Sequence, residues 1–333
     1  MNAISVPPIP AEALPAEPRL AALINPRSFR MRLHQRASRT AERVRAHGGR
    51  VFEVGGLDDI ERSLATAIDE GAERLVIAGG DGTLQATVSW LARELVPENF
   101  PELLVLSAGR TNYVAADLGT RRHFVDLLET MLAVEPSSLH PITRHSIACT
   151  HPSIGEQHGF FMAGAMIDEI IRLVHQSNAR KMQGTVLPYA ASTTGVIALM
   201  ARWALGLHRF TLPRLRIEAA ELGSLDSVCR FLLITSLPLT GHLVNPYARR
   251  GEGHLRLTTV AQHAKGMVRR LPRLLRGRLT SSMNEINGYL SGCCDSILIH
   301  NLNTVTLDGQ EFDLDPAEPL RLTTGPAFRF LRP

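Results

Sequence analysis

One segment combines residues that could bind a phosphate group and a metal ion. Residues 74–93 read RLVIAGGDGTLQATVSWLAR, an apolar run followed by a turn of small residues and then a helical pattern. The turn comprises Gly79, Gly80, Asp81, Gly82 and Thr83. A glycine turn between a strand and a helix N-terminus favours anion binding, because backbone N–H groups point outward and glycine allows close approach. Asp81 would repel a bare phosphate, so its carboxylate indicates a metal ion, a metal-bound water or a hydroxyl donor.

The same five residues also fit a tight turn that binds nothing. The segment lacks the G-K-[ST] ending of a Walker A loop and the G-x-G-x-x-G of a dinucleotide fold, which argues against a P-loop ATPase and a dehydrogenase. Thr83 could cap the following helix or contact a phosphate oxygen. From this segment alone the two interpretations remain open.

Strand-like and helical patterns alternate through the first part of the chain. The strand-like runs are residues 20–25, 50–54, 74–78 and 102–108, and the helical patterns are residues 30–47, 58–70 and 84–94. This alternation predicts a parallel β-sheet with right-handed crossovers.

After about residue 140 short strand-like runs dominate, with a helical pattern over residues 179–206. We therefore predict an α/β plus β-rich fold with two domains: an N-terminal parallel-sheet domain and a C-terminal antiparallel, sandwich-like β domain. The predicted boundaries are a flexible proline-rich arm over 1–19, the α/β domain over 20–136 and the β-rich domain over 137–319. Residues 320–333 are a candidate final strand of the first domain.

The composition is that of an ordinary soluble protein with a small positive charge. The chain has 333 residues and a formal net charge of +4, compatible with phosphate-bearing ligands or an anionic membrane and diagnostic of neither. The four cysteines form no C-x-x-C pair, which favours a reduced, cytoplasmic protein. No apolar run reaches about 18 residues, so we expect no membrane-spanning helix, and the N-terminus lacks the pattern of a signal peptide.

Several motifs, taken in order, resemble the diacylglycerol kinase catalytic-domain family, which includes YegS-like lipid kinases and sphingosine kinases. The matching segments are INPRS (24–28), GGDGT (79–83), GRTNYVAADLG (109–119), GAMIDEII (164–171, containing Asp168), MQGTVLPYAASTTGVIAL (182–199), NPYARRGEGHLRL (245–257) and TVTLDGQEF (304–312). The order and spacing of these weak motifs are more specific than any one of them.

The resemblance implies a lipid kinase that uses ATP and Mg²⁺ to phosphorylate diacylglycerol or a similar lipid alcohol. It implies that Gly79 to Thr83 bind the nucleotide phosphates, that Asp81 organises Mg²⁺ and that Asp308 is the general base. The nucleotide cleft would also include Asn25, Ser28, Thr111 and Asn112. Glu252 would supply the acid of a second-domain metal site. Without the resemblance, Asp308-Gly309 is more typical of a plain hairpin turn.

Five positions depart from the family pattern: Phe29, Ala86, Arg110, Tyr113 and Gln310. They keep two alternatives open, an NAD kinase-like enzyme and a non-catalytic relative that binds nucleotide or lipid. The Asn-Glu/Asp motif of NAD kinases is missing after the glycine turn. As partners we expect a lipid substrate at a membrane surface and no nucleic acid, and a homodimer is left open.

A basic stretch follows in the second domain. Residues 253–284 contain no acid and seven basic residues interleaved with aliphatic ones. Such a stretch can lie on anionic lipid, as a peripheral protein would on the inner face of a membrane. A solvated basic surface explains it equally well.

Overall fold

The computed structural model describes residues 19–32, 35–109, 113–120, 128–130, 132, 141–167, 212–239 and 245–332. The helical pattern predicted over 179–206 and the candidate residues Thr111, Asn112 and Asp168 lie outside these ranges, as does Arg110.

The N-terminal part alternates strands and helices, as the sequence predicts. Its elements are β1 Leu20–Ile24, α1 Arg36–Ala46, β2 Arg50–Glu53, α2 Leu57–Asp69, β3 Arg74–Gly79, α3 Asp81–Glu94, β4 Glu102–Ser107 and the short α4 Tyr113–Asp117. The strands pair in parallel in the order β2-β1-β3-β4.

Both faces of this parallel sheet are covered, which is why its strands are apolar throughout. Successive residues of β1 point in opposite directions: Leu23 packs in a core with α2 and α3, whereas Ala22 and Ile24 pack in a core with α1. The helices are therefore held on both sides, and the carboxyl ends of the strands form one edge beside the start of α3.

The C-terminal part is antiparallel. Its elements are β5 Ile142–His151, β6 Gly155–Gly159, β7 Phe161–Ala165, β8 Arg214–Ala219, β9 Gly223–Thr235, β10 Leu255–Ala261, α5 Met267–Leu274, β11 Tyr289–Cys294, β12 Ser296–His300, β13 Thr304–Leu307, β14 Gln310–Asp313 and β15 Leu320–Phe330. Long β9 pairs with β8 through its first half and with β7 and β10 through its second half. The antiparallel strands enclose one apolar core, and the predicted two-part α/β plus β-rich fold is confirmed.

One strand joins the two parts. β15 pairs with β5 and β12 in the antiparallel region, and at Phe330 it pairs in parallel with Leu103 of β4. The backbone N–H of Leu331 also donates to the carbonyl of Leu103 at 2.8 Å. The sheet of the N-terminal part is thus continued by residues far along the chain.

Two predicted helix starts are wrong. α1 begins at Arg36 rather than at Arg30, because the N–H of Arg30 donates to the carbonyl of Ala108 and ties this segment to the end of β4. α3 begins at Asp81 rather than at Leu84, so the predicted glycine turn is already the first turn of the helix. No helix among the described residues is long and apolar enough to cross a membrane.

Candidate active site

The glycine turn places Asp81 at the first position of α3. Gly80 precedes the helix in an extended conformation, and Gly79 closes β3. A side chain at Gly79 would meet the Cβ of Thr83 at 2.5 Å, so only glycine lets the turn fold this tightly. At Gly80 an added Cβ would lie 3.2 Å from the Cα of Gly109. The three glycines therefore add no side chains of their own at the N-terminus of α3, where backbone N–H groups favour an anion.

Asn25 links the end of β1 to this helix. Its side-chain amide donates to the Oγ1 of Thr83 at 3.0 Å, and its Oδ1 accepts from the N–H of Arg27 at 3.0 Å. Thr83 is almost fully buried. The two motifs that the sequence placed in a nucleotide site, at Asn25 and at Gly79 to Thr83, are thus joined by a hydrogen bond.

A cavity of about 530 Å³ opens beside this pair. Its volume falls within the range of small-molecule sites. It is lined by Asn25, Arg27, Ser28, Phe29, Arg32, Gly55, Gly56, Leu57, Ile60, Gly80, Gly82, Thr83, Gln85, Ala86, Gly109, Gln157, Gln310 and Phe312. The predicted residues Asn25, Ser28, Gly80, Gly82 and Thr83 therefore share one cavity.

Three positions that depart from the family pattern also line this cavity: Phe29, Ala86 and Gln310. Gln310 and Phe312 share one face of β14, while Glu311 between them lies on the other face, because side chains alternate along a strand. The pairing register of β13 and β14 determines which residues lie on each face, since Thr306 pairs with Glu311 and Leu307 pairs with Gln310. A shifted register that would bring Glu311 to the site is therefore not observed.

Asp308 lies in a two-residue hairpin turn between β13 and β14. Asp308 has φ 46° and Gly309 has φ 81°, the left-handed pair that a type I′ turn requires. The hairpin interpretation is thus correct as a description of the backbone. The position of the carboxylate is nevertheless unusual for a hairpin turn, because Asp308 is only 3% exposed.

Two backbone N–H groups hold the Asp308 carboxylate. Phe160 donates to Oδ2 at 2.8 Å and Phe161 donates to Oδ1 at 2.9 Å. Burial raises the pKa of Asp308 well above its usual range, nearby Asp81 raises it further, and the two N–H donors partly oppose the shift. The structure therefore brings Asp81 and Asp308 near enough to repel, although they are far apart in sequence.

Gly159 makes room for this carboxylate. An added Cβ would lie 2.7 Å from the Oδ2 of Asp308 and 2.7 Å from the Cγ of Leu307. We expect Gly159→Ala to displace Asp308, with an overpacking cost of about 1–3 kcal/mol and a loss of any reaction that depends on this carboxylate. Differential scanning fluorimetry and a turnover assay would measure the two effects.

Gly164→Ala is the matched control for Gly159→Ala. It overpacks β7 against the Leu232 side chain at 2.9 Å without approaching Asp308. Equal turnover in wild type and Gly159→Ala, or equal losses in the two variants, would show that Gly159 has no specific role at the carboxylate.

Tyr113 lies near both acids. Its N–H donates to the Oδ1 of Asp81 at 3.1 Å, and its ring packs on that of Phe161 with centroids 4.6 Å apart. Burial raises the pKa of Tyr113, a hydrogen bond with Thr235 opposes the shift, and the nearby Asp308 charge adds to it. The side chain that replaces the aspartate of the family pattern thus lies between the two halves of the site.

Hydrogen bonds lock α3 to the second part of the protein. The Oγ of Ser89 donates to the carbonyl of His158 at 3.1 Å and accepts from its N–H at 2.8 Å. The amide of Gln85 also donates to the Oε1 of Gln157 at 3.3 Å. Residues 157 and 158 lead directly into the segment that holds Asp308, so the positions of the two acids are coupled.

The donor set fits a magnesium–nucleotide complex better than a metal bound by protein alone. Among the described residues, no group of three or more His, Cys, Asp or Glu is placed to hold a metal. Mg²⁺ commonly uses one or two carboxylates and completes its shell with phosphate oxygens and waters, and Asp81 meets that requirement. Glu252 is exposed in the loop before β10, and its assignment as a metal ligand stays a prediction.

Sequence reasoning missed several cavity residues. Arg27, Arg32 and Gln157 line the cavity, but none was among the candidate site residues, although Arg27 lies within the INPRS motif. Arg27 follows the Asn-Pro turn directly, which is the one signal that could have found it. Gln157 comes from the second part of the chain and needs the tertiary fold to reach the site.

Comparison with known proteins finds similarity in sequence and in fold. Residues 19–142 match the sequence profile of the diacylglycerol kinase catalytic domain. A Stenotrophomonas maltophilia (strain K279a) protein named Probable lipid kinase YegS-like is 44% identical over 62 residues, which is 18% of this chain and 20% of that protein. The match thus spans about a fifth of this relative.

Solved structures show a similar fold over nearly the whole chain. A diacylglycerol kinase from Bacillus anthracis str. Sterne superimposes with a TM-score of 0.59 at 13% identity, covering 95% of this chain and 97% of that one. Another structure from the same organism gives a TM-score of 0.62 at 12% identity with the same coverage. At these identities the comparison shows a shared two-domain fold.

Proposed function

We propose that this protein is a lipid kinase that transfers the γ-phosphate of ATP to the hydroxyl of diacylglycerol or a similar lipid alcohol. The observation that carries the proposal is the pairing of two carboxylates from distant segments, Asp81 at the start of α3 and buried Asp308, beside a cavity built from both motifs. Membership of residues 19–142 in the diacylglycerol kinase family supports the same reaction class.

Each side of the site has a separate task in this proposal. Phosphates would bind at the N-terminus of α3, where N–H groups and the helix dipole favour negative charge. Asp81 would hold the magnesium ion, which neutralises the phosphates when bound. Arg27 and Arg32 line the same cavity and add positive charge.

Asp308 would accept the proton of the attacking hydroxyl. A general base is most effective when its pKa lies near the operating pH, and burial moves the Asp308 pKa in that direction. Burying a carboxyl beside a second acid costs stability. Such a loss of stability is expected in a protein that uses the carboxyl for catalysis, and it is not expected in a relative that has lost catalysis.

Incubating the protein with γ-labelled ATP and Mg²⁺ and a panel of lipid alcohols tests the proposal. Label should appear in at least one lipid. Including NAD as an acceptor separates the alternative enzyme, because label in NAD without label in lipid would favour the NAD kinase. ATP binding without transfer to any acceptor would favour the non-catalytic relative.

A basic surface on α5 supports attachment to the inner face of an anionic membrane. Leu274 faces inward against Val260 and Tyr289, and Arg270 lies over the Tyr289 ring with its guanidinium 5.7 Å from the centroid. The opposite side exposes cations together with two leucines, each more than a third exposed. This α5 surface comprises Arg269, Leu271, Arg273, Leu275 and Arg276.

We expect the double variant Arg269→Gln, Arg273→Gln to bind anionic vesicles about 10- to 30-fold more weakly than wild type, since each basic residue at such a surface contributes about 1 kcal/mol. Sedimentation with phosphatidylserine-containing vesicles at two salt concentrations measures the effect. Arg39→Gln, Arg45→Gln on exposed positions of α1 is the control. Similar losses in both variants, or binding that ignores salt and lipid charge, would leave α5 as a solvated surface.

A further inference from the structure

Three side chains of β5 and β6 form a hydrogen-bonded row beside the cavity. The Nε2 of His158 lies 2.9 Å from the Oε1 of Glu156, and its Nδ1 lies 3.1 Å from the Oγ of Ser146. His158 is almost completely buried and Ser146 is fully buried, whereas the Glu156 side chain reaches solvent. The row therefore connects a buried hydroxyl to a surface acid through a titratable ring.

The Ser146 hydroxyl has two acceptors within reach for its one hydrogen. Besides the imidazole nitrogen, the carbonyl oxygen of Pro326 lies 3.3 Å from the Ser146 Oγ. Pro326 belongs to a bulge, because the pairing of β15 with β5 shifts between Thr324 and Ala327. A side chain at Gly325 would collide with the Ser146 Oγ, so the bulge packs directly on this hydroxyl.

The protonation state of His158 determines which acceptor the hydroxyl uses. The Glu156 carboxylate only accepts, so it fixes the proton of a neutral ring on Nε2 and leaves Nδ1 to accept from Ser146. A protonated ring carries a hydrogen on both nitrogens. Its Nδ1 then donates to the Ser146 oxygen, and the hydroxyl hydrogen turns to the Pro326 carbonyl.

Burial and one acid set the range in which this change occurs. Burial lowers the pKa of His158 below its ordinary value of about 6.5, and Glu156 opposes the shift. α3 meets His158 through Ser89, which is uncharged and bonds both the N–H and the carbonyl of His158. The ring is therefore neutral at neutral pH and becomes protonated in mild acid.

The elements around the ring carry other charged or titratable groups. They are Arg93 on α3, Arg144, His145 and Cys149 on β5, and Asp308 in the turn after β13. Arg93 and Arg144 are held in ion pairs, with Glu61 and with Asp117. His145 touches the bulge itself, since its Nδ1 lies 3.2 Å from the carbonyl oxygen of Gly325. An experiment must therefore separate His145 from His158.

We propose that His158 is a positioning residue for β15, whose protonation turns the Ser146 hydroxyl to the Pro326 carbonyl and binds β15 to β5 at the bulge. β15 runs on from this bulge to pair with β4, and the cavity is lined by residues from both parts of the protein. The added hydrogen bond restricts movement of one part against the other, and such movement accompanies ligand release from a cleft. Acid therefore slows nucleotide release. This last consequence rests on the proposed kinase function.

Nitrogen-15 NMR of the imidazole ring tests the hydrogen bonds. At neutral pH His158 should be the Nε2–H tautomer, and the amide resonances of Gly325 and Ala327 should shift with the His158 midpoint, below about pH 6.5. Glu156→Gln should move the midpoint to lower pH, because Glu156 raises the pKa of His158. Asp69→Asn, at an exposed acid of α2, should leave the midpoint unchanged.

Two variants assign the shift of the bulge resonances. In Ser146→Ala the His158 ring still titrates, but the bulge resonances should no longer shift with it. In His145→Gln, the matched control, the shift should remain. An Nδ1–H tautomer in the wild type, a shift that persists in Ser146→Ala, or a shift that disappears in His145→Gln would overturn the inference. If Ser146→Ala does not fold, His158→Gln replaces it, with the same expected loss.

Release of a fluorescent ADP analogue, followed by stopped flow, measures the functional consequence. In the wild type the release rate should fall about 2- to 10-fold as pH drops through the His158 midpoint, the range for one neutral hydrogen bond. Ser146→Ala should show no such fall. The same pH dependence in both proteins would reject the link to nucleotide release. A protein that binds no nucleotide would instead contradict the kinase proposal, while the NMR titration still tests the position of β15.

Discussion

Replacement of Asp308 by asparagine is expected to slow phosphoryl transfer about 10²- to 10⁴-fold, the usual contribution of a general base, while ATP still binds. The physical reason is that the amide cannot take the proton from the acceptor hydroxyl. ATP binding should persist because Asp308 does not line the cavity beside α3 in which we propose that the nucleotide binds. Single-turnover transfer from labelled ATP and a separate nucleotide-binding titration measure the two quantities.

Asparagine is the better test residue for Asp308, although it is not neutral for the fold. Asn tolerates the positive φ of 46° at this position, which would strain alanine. The carboxylate accepts from the N–H groups of both Phe160 and Phe161, whereas an amide offers one acceptor oxygen. We expect a loss of about 1–3 kcal/mol in unfolding free energy from the unmet donor, so melting temperature must be measured beside activity.

Glu311→Gln is the matched control, since it removes a carboxylate from the next strand on the face away from the cavity. A large loss of transfer in Glu311→Gln with little loss in Asp308→Asn would assign the base to Glu311 and reject Asp308.

The pH profile gives a second readout of Asp308→Asn. Burial and then Asp81 raise the Asp308 pKa, so the reactive carboxylate form appears only above the ordinary carboxyl range of about 4. Wild-type kcat/KM should therefore rise along an acid limb that is missing in the variant. Stability is expected to change with pH in the opposite direction to activity. A raised folded-state pKa stabilises the protein at low pH, and this contribution to the free energy of unfolding disappears as pH rises through that pKa.

Asp81→Asn is expected to weaken magnesium-dependent ATP binding about 10- to 100-fold, the effect of losing a strong contact to a charged group, and to reduce turnover accordingly. The fold should be retained, because the asparagine oxygen can still accept the N–H of Tyr113. Removing the neighbouring charge should also lower the Asp308 pKa, which makes the variant no less stable than wild type at neutral pH. Calorimetric titration with ATP, with and without Mg²⁺, measures the binding.

Asp58→Asn provides the control for Asp81→Asn. Asp58 is an exposed acid in the first turn of α2 and does not itself line the cavity, so it tests the loss of a helix-terminal charge that is not the candidate metal ligand. Magnesium-dependent affinity that is unchanged in Asp81→Asn, or lowered equally in Asp58→Asn, would show that Asp81 does not organise the metal.

The sequence predicts well what depends on local pattern. The parallel strands of the first part were predictable because both of their faces are buried and their residues are apolar. β6 was not predicted, since its sequence GEQHG has neither an apolar run nor alternation, and it pairs with β5 only through the tertiary fold. β11, with the sequence YLSGCC, was not predicted for a similar reason.

The candidate site likewise contains residues that the local sequence identifies and residues that only the tertiary fold identifies. The glycine turn identified Asp81 as a candidate, because glycines between a strand and a helix indicate a tight turn from the local sequence alone. Asp308 depended on family resemblance, because its hairpin turn has the same local sequence whether the carboxylate faces solvent or the interior. The Nε of Arg256 and the hydroxyl of Tyr247 are buried without a hydrogen-bond partner among the described residues. This could not be predicted from the sequence, since hydrogen-bond satisfaction is a property of the folded environment.

The strand that joins the two parts has a consequence for biosynthesis. The edge of β4 gains its partner only when Phe330 and Leu331 have left the ribosome, after almost all of the intervening chain. Phe328 and Phe330 also complete the core beside α2 and α3. Until then the nascent N-terminal part has an unpaired, apolar strand edge of the kind that pairs wrongly with other chains. We therefore expect this part to require chaperone protection during translation and to aggregate when it is produced without β15.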